Sequence, residues 1–204
     1  TADPDDPNDP TPDILGDSFS ENFDDGSMEG WRTIDADGDY RNWKISQGNG
    51  VEGIDESKCI YSESYDSQSN SPLTPDNYIV SDGLYTITEN STLSFYAKPL
   101  DTWSNYYLEH YGVAISYDGT NFITVWEHTV SSTELDWVYK TVDLSDYAGR
   151  NVYIALRHFD CSNRYAICID NIELTSGNRS AKSSTIEKDR KSTRLNSSHQ
   201  VLSR

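Results

Sequence analysis

Along the middle of this chain apolar and polar residues alternate with a period of two, and helical periodicity is absent. Thr92–Lys98 puts Leu93, Phe95 and Ala97 on one face, and His110–Ser116 does the same with Tyr111, Val113 and Ile115. Ser18–Phe23 sets Phe19 and Phe23 against Ser18, Ser20 and Asn22. Further strands are expected at Ser57–Ser62, Asn77–Val80, Phe122–Trp126, Leu135–Val142, Val152–His158 and Tyr165–Leu174. Turn signals separate them: Asp82-Gly83, Glu89-Asn90-Ser91, Asp118-Gly119-Thr120 and Tyr147-Ala148-Gly149. Nine or ten short strands so spaced predict an all-β fold, an antiparallel jelly-roll β-sandwich.

Only residues 18–175 can build its core, because all 24 aromatic residues lie there. Residues 1–17 hold six Asp and four Pro with no base, so they read as an extended linker. Residues 176–204 are basic and Ser-rich, with seven Lys/Arg against two acids, and read as a disordered tail. Within that tail Lys191–His199 resembles a sequencing-adapter read-through peptide, so Asp189–Arg204 is read as non-native. The chain starts at Thr1 without a signal peptide and is expected to be an excerpt of something longer.

The net charge is −18, which disfavours nucleic-acid backbones and anionic lipid and favours divalent cations. No apolar run approaches the length of a transmembrane helix. The three cysteines, Cys59, Cys161 and Cys168, show no zinc-ligand spacing; Cys161 and Cys168 flank a short turn, which leaves open a local disulfide or separate buried thiols. His110 and His158 are expected to be structural hydrogen-bonders. Nucleophile-elbow, zincin, P-loop and dinucleotide motifs are absent, so no catalytic residue is assigned.

The most distinctive run is Trp31-Arg-Thr-Ile-Asp35-Ala-Asp37-Gly-Asp39. Carboxylates at Asp35, Asp37 and Asp39 in a loop can turn their oxygens to a common centre, as a hard cation requires. The run is not an EF-hand, since Tyr40 holds the sixth position and Ser46 the twelfth. Asp and Gly also simply make good turns, and that reading stands beside the metal one. In jelly rolls the first and last strands commonly run side by side, which would let Asp24 and Asp170 clamp one ion and tie the termini. Asp76-Asn77 after Pro75 adds an oxygen pair in a strand-entry turn. The loop Trp103-Ser-Asn-Tyr106-Tyr107 offers rings with an apolar face and a polar tip, suited to glycans or protein hot spots; the same rings also serve as packing.

In order, these landmarks resemble the cleaved adhesin domain family, the haemagglutinin/adhesin modules attached to gingipain-type cysteine proteases. The residues that carry the resemblance are Trp31–Asp39, Leu73-Thr-Pro-Asp-Asn-Tyr-Ile79, Leu93-Ser-Phe-Tyr-Ala97, Glu109–Ser116, Val142-Asp-Leu144, Val152–Phe159 and Ile169-Asp-Asn-Ile172, which span nearly the whole core. The resemblance implies a calcium-stabilised, non-enzymatic jelly roll, secreted or on the bacterial cell surface, that adheres to host protein or glycan within a larger surface protein or protease complex. It implies calcium ligation by Asp35, Asp37, Asp39, Asn77 and Asp170, with Asp24 where relatives more often carry Glu. A carbohydrate-binding accessory domain of a secreted hydrolase or protease is the alternative.

Overall fold

The alternating segments become two antiparallel sheets whose inward residues share one core. The structure, a computed structural model, describes residues 11–48 and 50–177. The described residues form β1 (Ile14–Gly16), β2 (Phe19–Glu21), β3 (Trp31–Asp35), β4 (Lys44–Ile45), β5 (Ile60–Glu63), β6 (Tyr65–Asp66), β7 (Ser71–Pro72) and β8 (Asn77–Ser81). They continue with β9 (Leu84–Thr86), β10 (Thr92–Pro99), β11 (His110–Ser116), β12 (Phe122–Thr129), β13 (Val138–Asp143), β14 (Asn151–His158) and β15 (Ala166–Thr175). The larger sheet runs β1-β9-β14-β11-β12, with β8 also on β14 and β3 outside β8. The second runs β13-β10-β15-β5-β4, with β2 also on β15. This is the all-β jelly-roll class expected from the alternation.

The count exceeds nine or ten because β1, β4, β6, β7 and β9 are only two or three residues long. Such strands close hydrogen bonds without needing an apolar face, so composition hides them. β1 also moves a boundary: Ile14 and Gly16 pair in parallel with β9, so the Asp/Pro-rich segment read as linker to residue 17 is structured before that point. The remainder of that linker, residues 1–10, and the tail from 178 onward lie outside the described residues.

Phe95 on β10 shows how the sheets join. It is fully buried and meets Tyr111 and Trp126 of the opposite sheet edge-on, at centroid distances of 6.2 and 6.0 Å. On the outer face of the larger sheet Tyr78, Val80, Ala114, Tyr153 and Ala155 form a second buried cluster. Arg32 lies over the Tyr153 ring at 5.6 Å and Arg157 over Tyr78 at 4.9 Å, so guanidinium planes roof this face.

The two edge strands β12 and β13 are linked by one charged cluster. Glu134 pairs with Lys140 and, at 2.8 Å, with His128, and it accepts the Ser131 N–H at 2.9 Å. Burial works against its charge, but Lys140, His128 and Ser131 outweigh that and bring its pKa to about 2. The stabilisation is therefore present above the ordinary value of 4.5 and lost as pH falls through about 2. Glu134→Gln should cost roughly 1–3 kcal/mol at neutral pH, and denaturant melts between pH 7 and 2 should show the gap from wild type closing in the acid range.

Candidate functional site

Asp35 is the last residue of β3 rather than a loop residue, and it stands in register with Asn77 of β8. Its Oδ1 accepts the Gly38 N–H at 2.7 Å and its Oδ2 the Tyr40 N–H at 2.8 Å, while Asp39 Oδ1 accepts the Arg41 N–H at 2.7 Å. Gly38 and Tyr40 take positive φ, which curls the chain tightly enough to bring one oxygen from each of Asp35, Asp37 and Asp39 within 4.8 Å of the others. Burial, a hydrogen bond with Asp35 and the charge of Asp39 all push the Asp37 carboxyl up. Burial also opposes the Asp35 charge, yet the Tyr40 and Gly38 N–H groups hold its pKa below the usual range. The loop is thus a crowded trio short of positive charge. Tyr40 beside it is 95% exposed, a ring that the sequence reading passed over.

The turn before β8 reaches this loop through Asp76. Ala36 N–H donates to the Asp76 carbonyl at 2.9 Å, which ties the turn to the start of the acid run. The Asp76 side chain is taken up by Arg157, through Nε at 2.7 Å and Nη2 at 2.9 Å. Asn77, expected among the calcium ligands, is buried with its Nδ2 turned to Ser62 Oγ at 3.4 Å, and its Oδ1 has no hydrogen-bond partner. The strand register accounts for this inward turn: Asn77 shares the core face of β8 with Ile79.

Asp24 and Asp170 lie elsewhere, near where β2, the first strand expected from the alternation, pairs with the last strand β15; the true first strand, β1, joins β9 of the other sheet. The edge of β15 is paired by β5 up to Ile169 and by β2 from Ile172, leaving Asp170 and Asn171 in the gap. Asn171 has a φ of 50° and the β10–β15 register shifts here, as a bulge requires. Into the gap folds the segment Gly53–Lys58. Asp170 Oδ2 accepts the Ile54 N–H at 2.9 Å, and Asp24 Oδ1 accepts the Lys58 N–H at 3.4 Å. A methyl group placed on Gly53 would lie 2.6 Å from the Lys58 carbonyl oxygen, 2.6 Å from Ser57 Oγ and 2.8 Å from Asp170 Oδ2. Three oxygens therefore face one small space. Burial raises the Asp170 pKa, and the nearby Asp24 charge adds to it.

The six expected metal ligands thus fall into two groups, Asp35/Asp37/Asp39 and Asp24/Asp170, with Asn77 turned into the interior.

In the Trp103–Tyr107 loop, Trp103 is 78% and Tyr106 43% exposed. The loop is pinned by Trp103 N–H to Asp101 Oδ1 at 2.7 Å, Tyr106 N–H to the Trp103 carbonyl at 3.0 Å, and Arg164 Nη1 to the Asn105 carbonyl at 3.2 Å. Tyr107 differs: it packs against the core. On the outer face of the second sheet a cleft of about 780 Å³ is lined by Ser20, Thr92, Ser94, Tyr139 and Glu173 among others, small polar groups beside an exposed ring. All three cysteines are free: Cys59 and Cys168 are buried, and Cys161 lies against Glu109 and His158, so the Cys161–Cys168 disulfide option is not taken up.

The Cleaved Adhesin Domain profile matches residues 17–174. Lys-gingipain W83 of Porphyromonas gingivalis is 34% identical over 182 residues, which is 81% of this chain and 10% of that protein. Hemagglutinin A of P. gingivalis strain W83 is 33% identical over 181 residues, 77% of this chain and 8% of its own length. The chain therefore spans about a tenth of the curated relatives it matches. The crystal structure of the K1 cleaved adhesin domain of Lys-gingipain from P. gingivalis W83 is similar at a TM-score of 0.68 and 32% identity, over 78% of this chain and 98% of that one.

The crowding at Gly53 makes a direct test of the Asp170 cradle. Gly53→Ala should cost about 1–3 kcal/mol in chemical denaturation, because the atoms it meets include backbone oxygen. Gly149→Ala, which has nothing within 4 Å but a φ of +79°, should cost only about 1 kcal/mol.

Proposed function

The chain belongs to the cleaved adhesin domain family and is a non-catalytic module, and on that footing we propose that it is a calcium-stabilised adhesion domain of an exported bacterial surface protein. The observation that carries the calcium part is the pair of oxygen clusters. Asp35, Asp37 and Asp39 converge with little positive charge nearby, and Asp170 faces the Lys58 carbonyl and Ser57 hydroxyl around Gly53 with Asp24 close by. All of these donors are oxygens, the set that suits a hard cation. A bound calcium would supply the charge that these carboxylates lack; the chain's own part is to hold the oxygens close and fixed.

The adhesive part rests on Trp103 and Tyr106, large rings held outward on a hydrogen-bonded loop, so that little side-chain and loop freedom is lost on contact. Their chemistry fits a host glycan or an extracellular host protein. The accessory carbohydrate-binding reading is favoured by a separate feature, the Tyr139 cleft, whose serine and threonine hydroxyls suit sugar hydroxyls. Among the described residues no helix is long and apolar enough to cross a membrane.

At about 2 mM calcium and a Kd of about 10⁻⁴ M, mass action contributes about 1.8 kcal/mol for each ion bound, or a Tm rise of about 4–7 °C per ion. Asp37→Asn should equal or exceed wild type in chelator, since repulsion is relieved, and gain less when calcium is added. A calcium-dependent gain equal to that of wild type would remove Asp37 from the ligand set.

For adhesion, binding to glycan arrays and to immobilised extracellular-matrix proteins should fall at least about tenfold in the Trp103→Ala/Tyr106→Ala variant, as expected for anchor rings. Loss in Tyr139→Ala instead would place recognition on the sheet cleft. Wild-type binding to none of these surfaces would contradict the adhesive reading.

A further inference from the structure

Away from both carboxylate clusters, three unlike donor atoms converge in the interior. Glu109, immediately before β11, and His158, the last residue of β14, are each fully buried, and Cys161 follows three residues later in the partly exposed connection to β15. His158 Nε2 lies 3.0 Å from Glu109 Oε2 and 3.1 Å from Cys161 Sγ, and Cys161 Sγ lies 3.3 Å from the same Oε2. Each remaining polar atom of the pair is anchored elsewhere. His158 Nδ1 meets Ser62 Oγ at 2.9 Å, and Glu109 Oε1 accepts both Ser64 Oγ and the Tyr165 N–H at 2.9 Å.

From this arrangement we propose that Glu109, His158 and Cys161 form a binding site for a borderline-soft divalent transition metal, best matched by zinc. Imidazole, thiolate and carboxylate are the ligand types zinc takes, and three protein ligands leave a fourth position for water. The part-exposed side of Cys161 provides the approach. Tetrahedral zinc with bonds of about 2.0–2.3 Å sets its ligand atoms roughly 3.4–3.6 Å apart. The trio therefore has to open by only about 0.3–0.5 Å. The anchors already do what outer partners of a metal site do: Ser62 fixes the imidazole edge, and Ser64 with Tyr165 fixes the carboxylate.

Hydrogen bonding alone explains the trio poorly. A thiol is a weak donor, yet Cys161 Sγ sits 3.1 Å from the imidazole Nε2 and 3.3 Å from the carboxylate Oε2, where a stronger donor would serve a purely structural bond better. Nor does it have the character of a nucleophile, since burial and the Glu109 charge push the thiol well above its ordinary pKa. On loading, the thiol proton leaves to solvent. The proton between Nε2 and Oε2 passes to Nδ1, where Ser62 Oγ accepts it. Zinc then faces two anions, and the filled pocket is neutral.

Cobalt(II) titration of the reduced full chain reads the site directly. The expected result is a thiolate-to-cobalt charge-transfer band with intense four-coordinate visible bands, saturating at one equivalent, displaced by zinc and unaffected by excess calcium. Cys161→Ser should abolish the charge-transfer band, Cys168→Ser should retain it, and Glu109→Gln should weaken cobalt binding by at least about tenfold. Circular dichroism checks that each variant is folded. Absence of the band in the wild-type chain, or a band of full strength in Cys161→Ser, would overturn the proposal, and the wild-type spectrum decides even if a variant does not fold.

Discussion

The last strand organises this fold. β15 gives its inward residues Ile167, Ile169, Ile172 and Leu174 to the core, carries β10 along one edge, and shares the other between β5 and β2. No single neighbour pairs the whole of that second edge, so β15 needs a break, and the bulge at Asn171 supplies it. The break leaves a carboxylate, Asp170, facing out of the sheet but covered by the Gly53–Lys58 segment. Burying a carboxylate is costly unless polar groups or a cation meet it. The Ile54 N–H and the fold of that segment are the chain's partial answer, and a calcium ion would complete it.

The same tension recurs at the other carboxylate group. Closing β3 onto β8 brings Asp35 beside the Asp76-Asn77 turn, and the left-handed residues Gly38 and Tyr40 fold Asp37 and Asp39 back on it. Arg157 neutralises Asp76 and also roofs Tyr78, and the Arg41 guanidinium pairs with Asp66, so both of these bases are already engaged. An acidic chain of net charge −18 gains little by adding further negative charge at such a point unless a cation is meant to sit there. This ties composition to the proposed function: a bound cation would stiffen the framework and leave the exposed rings to make contact.

Legibility in the sequence followed the physics of each element. β10, β11, β14 and β15 are readable because each runs for seven or more residues with apolar side chains alternating toward the core, although β11 and β14 are buried on both faces. β3 was missed as a strand because Trp31-Arg-Thr-Ile-Asp35 is half-buried on both faces and its end merges into the acid run. The Asp-x-Asp-x-Asp loop and the Asp24–Asp170 proximity were legible, the first from local spacing and the second from the way jelly-roll termini pair. The inward turn of Asn77 is not legible locally, because strand register decides which face its side chain takes. Tyr107 looked like Tyr106, and only packing separates them. In the Glu109–His158–Cys161 meeting only the His158/Cys161 spacing is local; Glu109 joins from 49 and 52 positions away, which no local pattern records.

The central claim is that two separate oxygen clusters each hold a calcium ion. Isothermal titration of the chelator-stripped chain with calcium tests it most directly. Two ions per chain are expected, with Asp37→Asn and Asp170→Asn each abolishing or sharply weakening one and leaving the other. No calcium-dependent heat in the wild-type chain, or an unchanged stoichiometry of two with unaltered affinities in both variants, would contradict it.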